Sequence, residues 1–274
     1  MSGGCILWEK HNLIIGNGLM YRFCPLASGS KGNAIYVELD ETKLLIDVGL
    51  SFKALRNRLG EIDVDIGDID AILITHEHKD HVYGLERTTK KLQIPVFANS
   101  ETAKFLLKNL QHKPRFYIFS TGEPFEYKDI EITPFSVQHD TLDPVAFILK
   151  KAKIKIGVCT DLGFVTTLTK IQLKECTCIY VEANHEPSMV YASSRPMFCK
   201  RRIMGRQGHL SNDACAQLLK EVDHADLQHI YLAHLSSECN NPDLALERVY
   251  EQIKRKVPIS IAYQERVSHP WVLI

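Results

Sequence analysis

The chain has 274 residues, 45% hydrophobic and 24% charged, with 33 basic side chains against 33 acidic ones. This is ordinary globular usage with enough length for a substantial core, and a formal net charge of zero excludes any global attraction to nucleic acid or to an anionic surface. No apolar run approaches the roughly 20 residues of a membrane span, and Glu9, Lys10 and His11 interrupt the first segment where a signal-peptide core would lie.

Residues 1–19 contain Gly3, Gly4, Gly16 and Gly18 and show no clear periodicity. They read as an N-terminal extension, either a disordered or added element or sequence upstream of a true start at Met20, with the domain running over 20–274. Strands are then expected at Tyr21–Ala27, Ala34–Leu39 and Lys43–Asp47, followed by a helix over Phe52–Leu59. Next come strand Ala71–Thr75, helix Val82–Leu92, strand Pro95–Ala98, helix Glu101–Leu110 and strand Phe116–Phe119. Glu131–Val137 alternates apolar and polar residues, as does a hairpin of Val145–Lys150 with Ile154–Thr160. Helices are expected over Val165–Lys174, Asn212–Val222 and Pro242–Lys256; Ser211 is a good N-cap for the second, and Asn241-Pro242 supplies cap and first helical residue for the third. The pattern alone defines an α/β or α+β protein. The eight cysteines are scattered with no Cys-x-x-Cys pair, so they form no disulfide framework; Cys176, Cys178 and Cys159 read as small buried residues, and the protein reads as cytoplasmic.

Chemistry is concentrated in His76-Glu77-His78-Lys79-Asp80-His81, directly behind the apolar strand Ala71–Ile74. Three imidazoles and an aspartate within six residues suit two adjacent cations, and a nitrogen and oxygen ligand set without Cys is the pattern of sites that keep a position open for chemistry. His139, Asp161 and His234 each follow the end of a strand, as His76 does, and strand ends on one rim are where α/β-type proteins assemble sites. Asp47 also ends a strand and is expected to bond a ligand histidine from behind, with Asp143 doing the same near His139. Between Glu186 and Asp213 there is no acidic residue, while Arg195, Lys200, Arg201, Arg202 and Arg206 are present. That basic stretch abuts Gly208-His209 and reads either as a solvated loop or as a phosphate-contacting surface. Ser28-Gly29-Ser30-Lys31-Gly32-Asn33 lacks the spacing of a nucleotide-binding loop and reads as a tight turn lining the floor of the site.

The pattern His-x-His-x-Asp-His resembles the signature of the metallo-β-lactamase-fold hydrolases. Within them the chain is similar to the YycJ/WalJ-like group from Met20 onward. The similarity lies in Leu26–Asn33, Leu45–Gly49, the histidine motif, His139–Val145, Thr160–Gly163, Gly208–Asn212 and Ala233–Ser236. The resemblance implies a four-layer αββα metallo-β-lactamase sandwich. It implies one metal on His76, His78, His139 and Asp161, a second on Asp80, His81, Asp161 and His234, and a hydroxide between them. Zinc is the first expectation for both ions, with manganese or iron as alternatives. Two divalent ions against two aspartates and one hydroxide leave residual positive charge, which favours an anionic substrate. Asp80 would orient the nucleophile, and His209 resembles the phosphate-binding or general-acid histidine of phosphodiesterase branches. The implied activity is that of a DNA exonuclease with nucleic acid as partner and no obligatory protein partner; a small-molecule hydrolase of esters, lactones, thioesters or cyclic phosphates is the alternative.

Overall fold

In the computed structural model, which describes residues 20–273, fourteen strands form two sheets of seven. The first sheet holds β1 (Tyr21–Ala27), β2 (Ala34–Leu39), β3 (Thr42–Ile46), β4 (Ala71–Leu73), β5 (Val96–Asn99) and β6 (Phe116–Phe119). The second holds β7 (Phe125–Tyr127), β8 (Ile130–Ser136), β9 (Val145–Lys151), β10 (Ile154–Cys159), β11 (Cys178–Glu182), β12 (His229–Ala233) and β13 (Ile259–Ile261), after which β14 (Trp271–Leu273) returns to pair with β1. The spatial orders are β14-β1-β2-β3-β4-β5-β6 and β13-β12-β11-β10-β9-β8-β7. Each sheet is antiparallel at its hairpins and parallel where helices intervene, as β3–β4–β5–β6 and β10–β11–β12–β13.

The helices are α1 (Phe52–Gly60), α2 (Lys79–Val82), α3 (Leu85–Leu92), α4 (Ser100–Asn109), α5 (Thr167–Leu173), α6 (Pro187–Ala192), α7 (Met197–Ile203), α8 (Asn212–Val222) and α9 (Pro242–Gln252). Three apolar clusters account for the layering. Phe23, Leu39, Phe147, Tyr180 and Tyr231 fill the space between the sheets. Leu55, Leu59, Leu85 and Leu106 join α1, α3 and α4 to the first sheet, and Leu173, Leu219 and Val249 join α5, α8 and α9 to the second. Alternate side chains of a strand face opposite ways, so strands such as Ala34–Leu39, buried at all six positions, supply two of these clusters at once. The result is helix on sheet on sheet on helix, the expected αββα sandwich.

Most expected elements are present within a residue or two, including the caps: Ser211 Oγ accepts from Ala214 N at 3.2 Å and Asn241 Oδ1 from Asp243 N at 2.8 Å. The expected helix over Val82–Leu92 is instead two helices, α2 and α3, broken at Gly84. A Cβ at Gly84 would lie 1.9 Å from the Leu50 carbonyl oxygen, so the break is also a close crossing of two backbones. The basic stretch, read as a loop or surface, contains α7 and follows α6. Residues 1–19, for which an extension or a downstream start is expected, lie outside the described residues.

Gly84→Ala is expected to lower the unfolding free energy by about 1–3 kcal/mol, since neither backbone can withdraw cheaply. Gly60→Ala, with nothing within 4 Å of the added methyl, is expected to raise it by up to about 1 kcal/mol. Denaturant titration of the two variants checks the contrast.

Candidate active site

Neighbouring parallel strands end on the same rim, and here three in succession end on acidic or imidazole side chains. Asp161 follows β10, Glu182 is the last residue of β11, and His234 follows β12. From the other sheet, β3 and β4 deliver Asp47 and the Thr75-His76 pair to the same place, and His139 arrives from beyond β8. Asp47, Asp161 and His234 have φ of 61°, 57° and 54°, so the chain turns sharply at each of these strand ends. His78 stands at the N-cap of α2, whose single turn carries Asp80 and His81. That turn is pressed onto the loop after β3: a Cβ at Gly49 would lie 1.7 Å from the Asp80 carbonyl oxygen, and Asn33 N donates to that same oxygen at 2.7 Å.

Four overlapping sets of side chains each place their ligand atoms within 4.8 Å of one another: His76, His78 and His139; His76, His81 and Asp161; Asp80, His81 and His234; and Asp161, Glu182, His209 and His234. The Asp161 carboxylate sits among the rings, with Oδ2 3.4 Å from His81 Nε2 and Oδ1 3.7 Å from His139 Nε2 and 3.6 Å from His234 Nε2. Asp80 Oδ2 is 3.5 Å from His81 Nε2 and 3.8 Å from His234 Nε2. His76 Nε2, His234 Nε2 and Asp161 Oδ2 are buried with no hydrogen-bond partner. Buried polar atoms ordinarily find partners, so three such atoms facing one cluster fit a centre that holds divalent ions. All seven residues to which the resemblance gives a metal are brought together.

A second layer fixes the rings. Asp47 Oδ2 takes His81 Nδ1 at 2.7 Å and the Thr75 hydroxyl at 2.8 Å, while its Oδ1 accepts from Thr75 N. His139 Nδ1 donates to the Gly208 carbonyl at 3.0 Å. Asp143 has a different task from the one expected: its carboxylate accepts from Thr121 Oγ1 at 2.9 Å and its carbonyl from Asn99 Nδ2, so it holds the loop and not the His139 ring. The turn at residues 28–33 does line the floor. Ser28 Oγ accepts from His234 N at 2.8 Å and from the Tyr180 hydroxyl, and Asn33 Nδ2 reaches Asp80 Oδ2 at 3.2 Å.

The sequence reading missed Glu182, which is fully buried. Its Oε1 lies 2.7 Å from His209 Nδ1 and 3.2 Å from His234 Nδ1, and its Oε2 accepts from Leu162 N and Leu210 N. The signal was available: Cys178–Glu182 is an apolar strand that ends on an acid, as neighbouring strands end near Asp161 and His234.

Electrostatics divide the cluster in two. Burial, aided by His81 and His139, drives the His76 ring far below its usual pKa, and burial with His139 lowers His78. These two rings are neutral nitrogen donors at neutral pH, the form a metal requires. Among the carboxylates the balance reverses. Burial opposes protonation of His81, yet Asp47 and Asp161 raise it to about 9; Asp161 and Asp80 raise His234 against burial in the same way, and Glu182 raises His209. Burial in turn favours the neutral acids, but the His234 and His81 rings hold Asp80 and Asp161 below the ordinary carboxylate range, and His209 and His234 do so for Glu182. This half of the cluster demands positive charge, which divalent ions would supply in place of protons.

The basic stretch separates into different parts. Lys200 is only 8% exposed and its Nζ donates to the Tyr191 carbonyl at 2.6 Å, so it is a structural residue of α7 and not the surface cation expected. Arg195 is paired with Glu238 at 2.8 Å. Arg202 Nε reaches Asp140 Oδ2 at 2.5 Å, and Asp140 Oδ1 stands 3.5 Å from His139 Nε2, which ties this arginine to the edge of the centre. Arg201, Arg202 and Arg206 line a cleft of about 400 Å³ with Asp140 and Gly208. The guanidinium of Arg206 also lies 4.1 Å over the Phe164 ring.

Residues 42–234 match the family described as the beta-lactamase superfamily domain. The chain is 37% identical to exodeoxyribonuclease YycJ of Bacillus anthracis over 85% of its own length and 89% of that protein. It is 34% identical to exodeoxyribonuclease WalJ of Streptococcus pneumoniae over 85% of its length and 88% of that protein. Among solved structures, the metallo-beta-lactamase fold protein YhfI of Bacillus subtilis superposes with a TM-score of 0.72 at 13% identity, covering 93% of this chain and all of that one, a likeness of fold.

Glu182→Gln keeps the volume and removes the charge shared by His209 and His234. Metal affinity is expected to fall about 10–100-fold, as for other residues that orient ligand histidines, with the loss confined to the ion nearer His234. Titration of chelator-treated protein with zinc, read calorimetrically, checks this; two unchanged binding steps would refute it.

Proposed function

The chain belongs to the beta-lactamase superfamily, and on that premise we propose that it is a phosphodiesterase acting as an exonuclease on DNA. It is a metal-dependent hydrolase whose centre takes divalent ions. The observation that carries the reading is the convergence of three imidazoles on one side and Asp80, His81 and His234 on the other, with the Asp161 carboxylate between them and three buried ligand atoms lacking partners. His76, His78, His139 and Asp161 would hold one ion, and Asp80, His81, Asp161 and His234 the other, with zinc the metal that best suits this donor set. When bound, such ions acidify water to a pKa near 7 and offset negative charge developing on oxygen.

The protein's own groups supply the rest. Asp80, at the N-terminal turn of α2, stands where it can orient a nucleophile and take its proton. Glu182 accepts from His209 Nδ1 and raises the pKa of that ring against burial. With Nδ1 held by Glu182, a protonated His209 would offer Nε2 as a donor to a phosphate or a leaving oxygen, the role of a general acid. The cleft of Arg201, Arg202 and Arg206 beside His139 offers cationic groups to the backbone beyond the scissile phosphate. A neutral ester or lactone would have no use for that cleft. The curated relatives named above as exodeoxyribonucleases support DNA over RNA. Residues 20–274 would make up the catalytic domain. No helix of the described residues is long and apolar enough to cross a membrane, and the seven free thiols among them support a cytoplasmic setting.

Three measurements test the reading. Asp161→Ala is expected to empty both metal positions, whereas His234→Ala empties chiefly one; equal metal loss in the two variants would remove Asp161 from its shared position. On end-labelled duplex DNA, the metal-loaded protein is expected to release nucleotides from an end. Replacing Arg201 and Arg206 together should weaken binding to DNA of any sequence and flatten its salt dependence by a slope of about 0.9 for each phosphate no longer neutralised. A salt dependence unaltered by the double replacement would leave the cleft without a role in binding.

A further inference from the structure

The His209 ring belongs to two places at once. Its Nδ1 faces Glu182 and Asp161, and the ring also lines a cavity of about 320 Å³ walled by the loop after Asp161 and by α5, α6 and α8. Phe164, Tyr191 and Met204 give this cavity flat and polarisable walls, while His185, Ser211 and Gln217 supply polar atoms. Its fixed charges, Lys170 and Glu221, neutralise one another at 2.7 Å. His185 is 2% exposed, and its Nδ1 is buried without a hydrogen-bond partner. Burial pushes that ring down to about 4, so it is an uncharged donor and acceptor at neutral pH.

This chemistry differs from that of the arginine cleft on the other side of residues 205–208. The cleft is cationic and suits phosphate. The cavity has no uncompensated cation and suits a flat, neutral heterocycle with hydrogen-bonding edges. Phe164 and Arg206, stacked on each other, form the partition between them. Resting on the phosphodiesterase reading above, we propose that this cavity receives the terminal nucleobase of the strand whose scissile phosphate lies at the metal centre. Its volume is at the low end of the ~300–1,000 Å³ of small-molecule pockets, which is room enough for a base. The amide of Gln217 can donate or accept, which lets the cavity take any base.

The test compares kcat/KM of the metal-loaded enzyme for two esters with the same leaving group, thymidine 5′-(4-nitrophenyl phosphate) and methyl 4-nitrophenyl phosphate. Calorimetric binding of thymidine 5′-monophosphate against methyl phosphate gives a second readout. The native protein is expected to prefer the thymidine compounds by about 10–100-fold, the range of base stacking on aromatic walls. Ala214→Phe, which fills the cavity from α8, should abolish the preference. Tyr191→Ala, at a position already exposed on α6, should reduce it without disturbing the core, and decides the matter if the first variant folds poorly. Equal use of both esters, or a preference that survives both substitutions, would overturn the base subsite while leaving the phosphodiesterase reading standing. Hydrolysis of neither ester, with turnover of a thioester, would overturn both.

Discussion

A fully buried carboxylate is costly unless every lone pair is met, and Glu182 is where this protein meets that cost most completely. One oxygen takes the Nδ1 atoms of His209 and His234, the other the backbone N–H groups of Leu162 and Leu210. These four partners come from the turn after β10, the segment before α8 and the end of β12, so one side chain holds three separately delivered pieces of chain in register. Removing one partner of such a buried pair costs far more than the pair itself contributes. The ring orientations of a metal-side histidine and of the proposed proton donor therefore stand or fall together.

The segment 205–209 distributes the chemistry around that anchor. Gly208 lies so close to α7 that a Cβ there would sit 2.1 Å from the Arg202 carbonyl oxygen, and its own carbonyl holds the His139 ring. One side of this segment is cationic and the other aromatic and neutral, with His209 where they meet the centre. A strand laid across it would have its charged and flat parts sorted to opposite sides.

Much of this was legible in the chain. The strands announced themselves by alternation or by short apolar runs, and Ser211 and Asn241 marked helix starts because their side chains can accept from free N–H groups. The histidine motif, His139, Asp161 and His234 stood out because imidazoles and acids at the ends of apolar strands have few other reasons to be there. What was not legible is instructive. Glu182 carries the same strand-end signal, but a single acid at the end of an apolar strand draws no notice until β11 is seen between β10 and β12. Lys200 looked like one cation among five, and only the packing of α7 against α6 turns it inward. The helix break at Gly84 has no local sequence signal apart from the glycine, since its cause is the Leu50 carbonyl more than thirty residues away in the chain.

The turns at Asp47, Asp161 and His234 carry a consequence for how freely this centre can vary. A left-handed backbone is tolerated among side-chain-bearing residues chiefly by asparagine, aspartate and histidine. Two of the three positions, Asp161 and His234, are also among the residues proposed to hold the ions. The strand ends thus favour a short list before any ion is considered: aspartate and histidine suit both the turn and an ion, glutamate can make such a turn, as Glu175 does at φ 60°, but is less favoured there, and glycine, able to make the turn, would bring no ligand. Backbone geometry and coordination chemistry select the same few residues independently, and a substitution at these three positions is filtered twice.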